Sequence, residues 1–279
     1  MIPAQDAIDT REMRIEILKM GFGAKSLGGH FGGSLSVVEI LAALYGGVMT
    51  FDPANPGDER RDRFIFSKGH GVMAQYAALK QLGLLTEDQL LSYKKTDSVV
   101  SAHPAMNPEM GIEFSSGSLG QGLSQGVGVA LALRLKGNDS SRVFVLLGDG
   151  ECDEGSIWEA AMSAASYRLG NLVAIVDKNG LQYDGGTEEV LAIDDLPAKW
   201  RAFGWESADV DGHDVAALVA ALGAKSGRPL AVIAHTVKGK GVSFMENAAQ
   251  WHHAILTQKF YDQAMDELNG LCSGTEAHD

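Results

Sequence analysis

The sequence has 279 residues, 45% apolar and 21% charged, the balance of an ordinary soluble globular protein. Its 23 basic and 36 acidic residues leave a net charge of −13, which argues against nucleic-acid binding, and no apolar run suggests the ~20 residues of a membrane span. Two cysteines without metal-type spacing, Cys152 and Cys272, and an N-terminus lacking signal-peptide features give the expectation of a reducing, cytoplasmic setting.

In chain order, Asp6 to about Lys25 reads as an amphipathic helix, with Ile8, Met13, Ile15, Ile17, Leu18 and Met20 at roughly helical spacing. A glycine-rich break spans Ser26 to Ser34. Leu35 to Tyr45 then reads as an apolar helix with Ser34 or Ser36 as its N-cap. Phe51–Gly57 is a loop, and Arg63–Ser67 a short buried strand leading through Lys68-Gly69-His70-Gly71 into a helix ending near Leu82. Thr86–Tyr93 starts as a capped helix, Ser101–Glu113 is irregular, and Ser115–Gly122 opens a small-residue helix reaching about Leu135. Strands are expected at Val143–Leu147, Leu172–Val176, Glu206–Val210 and Leu230–Ala234. Helices are expected near 156–169, 196–203, 215–222 and 258–268, with a polar, frayed tail from Asn269. The alternation predicts an α/β fold: a doubly wound, mainly parallel sheet flanked by helices, with residues 1–279 as a single domain.

The most informative stretch runs from Arg142 to Gly185. An apolar strand ends in Gly148-Asp149-Gly150, a helix follows, and a second apolar strand ends in Asp177-Lys178-Asn179-Gly180-Leu181. Ligands of open α/β sheets bind outside the carboxyl ends of the strands. Asp149 and Asn179 are therefore expected side by side, offering oxygens to a hard cation such as Mg2+, while the glycines admit a phosphate close to the backbone. Gly-Asp-Gly alone is a common turn. The 28 residues between Gly150 and Asn179, one helix plus one strand, make the combination specific. It resembles the thiamine-diphosphate motif, in which Gly-Asp-Gly is followed at that distance by Asn, often paired; Lys178 stands in place of the first Asn.

Further Gly-flanked polar spots recur in chain order: Gly29-His30, Ser67–Gly71, Ala102-His103-Pro104, Gly117–Gly122, Lys238–Gly241 and Trp251-His252. A lone histidine among these reads as an ordinary structural residue. Together they resemble the N-terminal, diphosphate-binding portion of a transketolase, over nearly the whole chain. The resemblance implies that Asp149, Asn179 and the Leu181 carbonyl bind Mg2+. It implies that Gly150, His70, Asn179, Lys238, His252 and the Gly117-Ser118-Leu119 backbone hold thiamine diphosphate. His30, His103 and His252 would face the substrate, where imidazoles suit proton movements at sugar oxygens. Glu154 and Glu159 match acids between paired active sites of the family, although acids at a helix N-terminus have their own electrostatic reason to be there.

The departures are Lys178, Tyr183 where several relatives carry an aliphatic residue beneath the bent cofactor, and His253 where glycine is common. That last change leaves open which of His252 and His253 is the site histidine. The resemblance also implies a pyrimidine-binding domain that supplies the activating glutamate and most donors for the substrate phosphate. Here that domain is expected on a partner chain, in an α2β2 split transketolase acting on sugar phosphates or close analogues. Two other readings are the α subunit of a 2-oxoacid dehydrogenase and a non-catalytic binding protein that keeps the fold. The Ser67–Gly71 stretch and His103-Pro104 favour transketolase over the first, and both retained metal-ligand side chains argue against the second.

Overall fold

The computed structural model describes residues 8–270. The expected strands all form: β1 (Arg63–Phe66), β2 (Val143–Gly148), β3 (Leu172–Lys178), β4 (Glu206–Asp211) and β5 (Leu230–His235). They make one sheet in the order β1-β2-β3-β5-β4, and each neighbouring pair is parallel. Parallel sheets are covered on both faces, so their strands need continuous apolar runs. Accordingly β2 is buried throughout. The edge strand β4 instead exposes Glu206, Asp209 and Asp211, charges that discourage pairing with another chain.

Alternation along the strands sends side chains to two cores. Phe144 and Leu146 face a layer containing α1 (Thr10–Gly23), α2 (Phe31–Leu35), α3 (Val38–Ala43), α4 (Val72–Gln81), α10 (Val215–Gly223) and α11 (Gln258–Leu268). Val143, Val145 and Leu147 face α6 (Gly122–Leu135), α7 (Gly155–Ser166) and α9 (Leu196–Ala202). Two shorter helices complete the set, α5 (Glu87–Leu90) and α8 (Thr187–Val190). Gly126 lets α6 approach β2: a Cβ there would stand 2.5 Å from Val145 Cγ2. Gly126→Val is therefore expected to destabilise the chain by about 1–3 kcal/mol, seen as a lower thermal midpoint. An unchanged midpoint would show that α6 can move away freely.

Some boundaries differ from the sequence-based expectation. The first helix starts at Thr10, because Asp9 caps it by accepting from the Arg11 and Glu12 amides. Residues 6 and 7, and the tail beyond 270 with Cys272, lie outside the described residues. The apolar helix begins at Phe31 and breaks at Ser36-Val37. Neither serine caps it. Ser34 Oγ donates to the His30 carbonyl at 2.7 Å, and Ser36 Oγ donates to Asp177 at 2.8 Å. The break turns Ser36 toward the sheet end. Residues Phe31–Val48 form an 18-residue helical stretch apolar enough, by length and composition, to match a membrane span. It is mostly buried, and lies in the first core layer. The expected cap at Thr86 is present as a reciprocal pair with Gln89.

Candidate active site

The carboxyl ends of β2, β3 and β5 open into a cavity of about 190 Å3. Its walls include Lys68, His70, Asp149, Asn179, Lys238 and His252. The β2–β3 register, Gly148 opposite Asp177, brings Asp149 next to the turn after β3. There Asp149 Oδ2 accepts from the Gly180 amide at 2.6 Å and Oδ1 from the Gly150 amide at 2.9 Å. Asn179 folds back on its own strand end: Nδ2 donates to Asp177 at 2.9 Å, and Oδ1 accepts from the Leu181 amide at 3.1 Å. The Leu181 carbonyl accepts from Lys238 Nζ at 2.7 Å. Asp149, Asn179 and Leu181 are thus gathered on one wall, with their oxygens turned to neighbouring donors.

Three buried polar assemblies position these groups. Glu151 ties three loops together. One oxygen accepts from Ser67 Oγ and from the Gly120 amide, the other from the Gly148 amide at 3.0 Å. Asp177, fully buried, accepts from Lys68, Ser36, Thr236 and Asn179, which locks the ends of β1, β3 and β5 to the α2–α3 break. Burial drives the Asp177 carboxyl up, but the Lys68 ammonium and these donors bring it below the usual carboxylate range. The third assembly runs from Arg14 through Glu39 to His213. Arg14 Nη2 donates to Glu39 at 2.7 Å. His213 Nε2 accepts from the Val237 amide at 2.8 Å, so its proton sits on Nδ1, 2.9 Å from Glu39. Arg14 Nε also donates to the Lys240 carbonyl at 2.9 Å. The segment carrying Lys238 is therefore held at both ends.

Four histidines surround His30. Ring centroids lie 5.7 Å away for His70, His103 and His252, and 4.5 Å for His253. His252 also stacks on His70 at 5.0 Å and meets the Tyr183 ring edge-on at 5.2 Å. Burial, then its histidine neighbours and Lys94, lowers His30 to about 3. Burial, then Lys238 and Lys68, lowers His252 to about 4. Burial also holds His70 well below, and His103 below, the ordinary imidazole value. At neutral pH these rings are uncharged and can each donate and accept. The positive charge of the site comes from lysines. Burial and the Lys68 charge bring Lys238 down to about 8.

The family model for the transketolase thiamine diphosphate-binding domain matches residues 8–269. The chain belongs to the transketolase family. It is 40% identical over 265 residues to one of the subunits of the apulose-4-phosphate transketolase of Phocaeicola vulgatus, covering 94% of this chain and 93% of that one. It is 42% identical over 256 residues to the 6-deoxy-6-sulfo-D-fructose transketolase subunit SqwG of a Clostridium species, covering 91% and 90%. Among solved structures it superimposes on transketolase from Leishmania mexicana with a TM-score of 0.85 at 29% identity. That match covers 93% of this chain and 40% of the Leishmania one, so the chain spans less than half of that solved transketolase. It is the cofactor-binding subunit of a thiamine-diphosphate-dependent transketolase, a transferase.

The transketolase site suits both groups. For thiamine diphosphate, the cavity offers Lys68, Lys238 and neutral imidazole donors, and the Nδ1 atoms of His30 and His252 are buried without a partner. Gly33 passes so close that a Cβ would lie 3.0 Å from His70 Nε2. For a divalent cation, a carboxylate, an amide oxygen and a peptide carbonyl make a hard, oxygen-only set. Asp149 is the one carboxylate of that set, and among the described residues no cluster of three or more His, Cys, Asp or Glu is placed for a metal. Burial, then the Asp177 charge, raises that carboxyl to about 6.

The transketolase motif residues do not all meet in one cavity. Gly150 and Leu119 line it with His70, Asn179, Lys238 and His252. Ser118 is exposed, and Gly117 lies against the His103 ring, with a Cβ there 3.0 Å from His103 Cδ2. His30 and His103 adjoin the cavity through their neighbouring rings. Of the adjacent pair, His252 lines the cavity, whereas His253 lies outward beside Lys94. Glu151, Asp177, Lys68 and the Arg14–Glu39–His213 chain escape sequence reasoning. The nearest signal is Lys68 within Ser67–Gly71.

Proposed function

We propose that this chain holds thiamine diphosphate through Mg2+ in a split transketolase, and that with a pyrimidine-binding partner it transfers a two-carbon ketol unit between anionic ketoses and aldoses. The observation that supports this best is the gathering of Asp149, Asn179 and Leu181 with Lys238 and His70 in one cavity. The partner reading rests on relatives named as single subunits of a transketolase, which this chain matches over nine-tenths of their length. An α2β2 assembly with active sites between chains is part of the proposal, as is a cytoplasmic setting. The names of those relatives, a phosphorylated and a sulfonated sugar, favour substrates with an acidic substituent.

When bound, thiamine diphosphate supplies the nucleophilic carbon that carries the two-carbon unit. Asp149, Asn179 and the Leu181 carbonyl would hold the Mg2+ that neutralises the diphosphate. Lys238, His70, Gly150 and the Gly117–Leu119 backbone would complete its grip. His30, His103 and His252 would hold sugar hydroxyls and move protons at their oxygens, each able to donate from one ring nitrogen and accept at the other.

Two measurements test this. Purified alone, the chain is expected to bind Mg2+ and the cofactor but to transfer nothing. Co-purified with its pyrimidine-domain partner, it is expected to turn over at about 1 s−1 or faster. Turnover at that rate by partner-free protein would overturn the split-enzyme reading. Within the complex, His103→Ala is expected to slow turnover with cofactor affinity nearly intact, and His70→Ala to weaken cofactor binding. The reverse pattern, by calorimetry and steady-state kinetics, would exchange their roles.

A further inference from the structure

The backbone of His253 is fixed. The Gly29 amide donates to the Ala254 carbonyl at 2.9 Å and the Ala254 amide to the Gly29 carbonyl at 3.0 Å. This two-bond bridge holds the exposed His253 ring 4.5 Å from that of His30, outside the lining of the diphosphate cavity. The ring also approaches Gly28, where a Cβ would lie 3.1 Å from His253 Cε1. Gly28 adopts φ +58 and lies opposite Ala254, so the segment beneath the ring leaves little room for a larger side chain.

Lys94 completes the arrangement. Its Nζ lies 3.0 Å from the Leu27 carbonyl, 2.9 Å from the Gly28 carbonyl and 3.4 Å from His253 Nε2. Lys94 itself is held at φ +61, a conformation unusual for a residue with a Cβ. No described carboxylate forms an ion pair with it: its neighbours are two carbonyls and an imidazole. The result is an ammonium whose three acceptors are two carbonyls and an imidazole, and which braces the His253 ring beside His30.

We infer that His253, braced by Lys94, is a specificity-determining residue that binds a hydroxyl or anionic oxygen of the sugar substrate beside His30. The inference rests on the transketolase reading proposed for this site. With Nε2 accepting from the Lys94 ammonium, the neutral ring carries its proton on Nδ1, which can donate to a hydroxyl or anionic oxygen of the sugar. The ring also fills space that glycine would leave open, so it selects substrate shape as well as polarity. No bond is made or broken at His253; it acts on binding.

The test uses the reconstituted complex loaded with Mg2+ and thiamine diphosphate, assayed with a ketose phosphate donor and an aldose phosphate acceptor. His253→Gly is expected to raise KM for at least one of these about 10-fold, with kcat within 2-fold of wild type and cofactor affinity unchanged. His253→Asn, which keeps a polar head near the position of Nδ1, is expected to recover most of the KM. Addition of the ketose phosphate is expected to shift the His253 ring resonances of the loaded complex. Wild-type turnover with an unchanged KM in His253→Gly, or a loss confined to kcat, would overturn the inference while leaving the transketolase reading intact. Absence of turnover in the wild-type complex would overturn that reading and this inference with it.

Discussion

Asp149→Ala is expected to reduce Mg2+-dependent thiamine diphosphate affinity at least ~10-fold, on the order of 1.4 kcal/mol or more. Of the three candidate cation ligands, Asp149 is the one carboxylate, and it is 4% exposed. Removing it leaves the diphosphate charge to Lys238 and the neutral histidines. Alanine also strands the Gly150 and Gly180 amides, so a second variant separates support of the loops from loss of charge. Asp149→Asn keeps an acceptor oxygen and is expected to bind the cofactor almost as poorly. Calorimetric titration showing wild-type affinity in Asp149→Asn would remove Asp149 from the metal site. The metal-free protein gives an independent readout. A carboxyl raised from 3.8 to about 6 is unfavourable when ionised, so its cost to the fold is absent below about pH 4, grows as pH rises to about 6, and is constant above that. Between about pH 4 and 7 the wild type is expected to lose, relative to Asp149→Asn, on the order of 3 kcal/mol of stability. Parallel stability–pH curves would contradict this.

Asp177→Ala is expected to destabilise the chain by about 3–5 kcal/mol, a large share of the stability of a typical domain. The substitution leaves the Lys68 ammonium, 1% exposed, without its counter-ion. It also removes the acceptor for Ser36, Thr236 and Asn179. Combining Lys68→Met with Asp177→Asn removes both charges and keeps an acceptor, and is expected to recover at least half of the loss. The check is denaturant unfolding of the three proteins. A change below about 0.5 kcal/mol in Asp177→Ala would mean that the pair is hydrated and contributes little.

The contrast between these residues shows what the sequence makes legible. β2, α7 and β3 are readable because two uninterrupted apolar runs flank one helix length, and the spacing from Gly150 to Asn179 follows from that geometry. Asp149 is readable because it stands in a motif. Asp177 and Lys68 are 109 residues apart, and each alone reads as an ordinary charge next to a strand. Their meeting depends on the order of strands in the sheet, which local pattern does not encode. Glu151 is concealed differently, since an acid at the start of a helix already has a local electrostatic reason to be there. The break at Ser36-Val37 is hidden inside an apolar run that reads as one continuous helix. The reason for it, Ser36 reaching Asp177, lies across the fold.

The Glu151 carboxylate has a consequence for how the site opens. Its bonds join a loop after β1, the turn before α6 and the end of β2, segments that lie up to 84 residues from Glu151 along the chain. None of the three can swing away without leaving a buried carboxylate short of donors. Local fluctuations are therefore replaced by a single concerted excursion, and the amide protons of Gly120 and Gly148 should exchange with deuterated solvent at a common rate. The cofactor then meets a nearly rigid receptor, and little ordering of the backbone remains to be done when it binds.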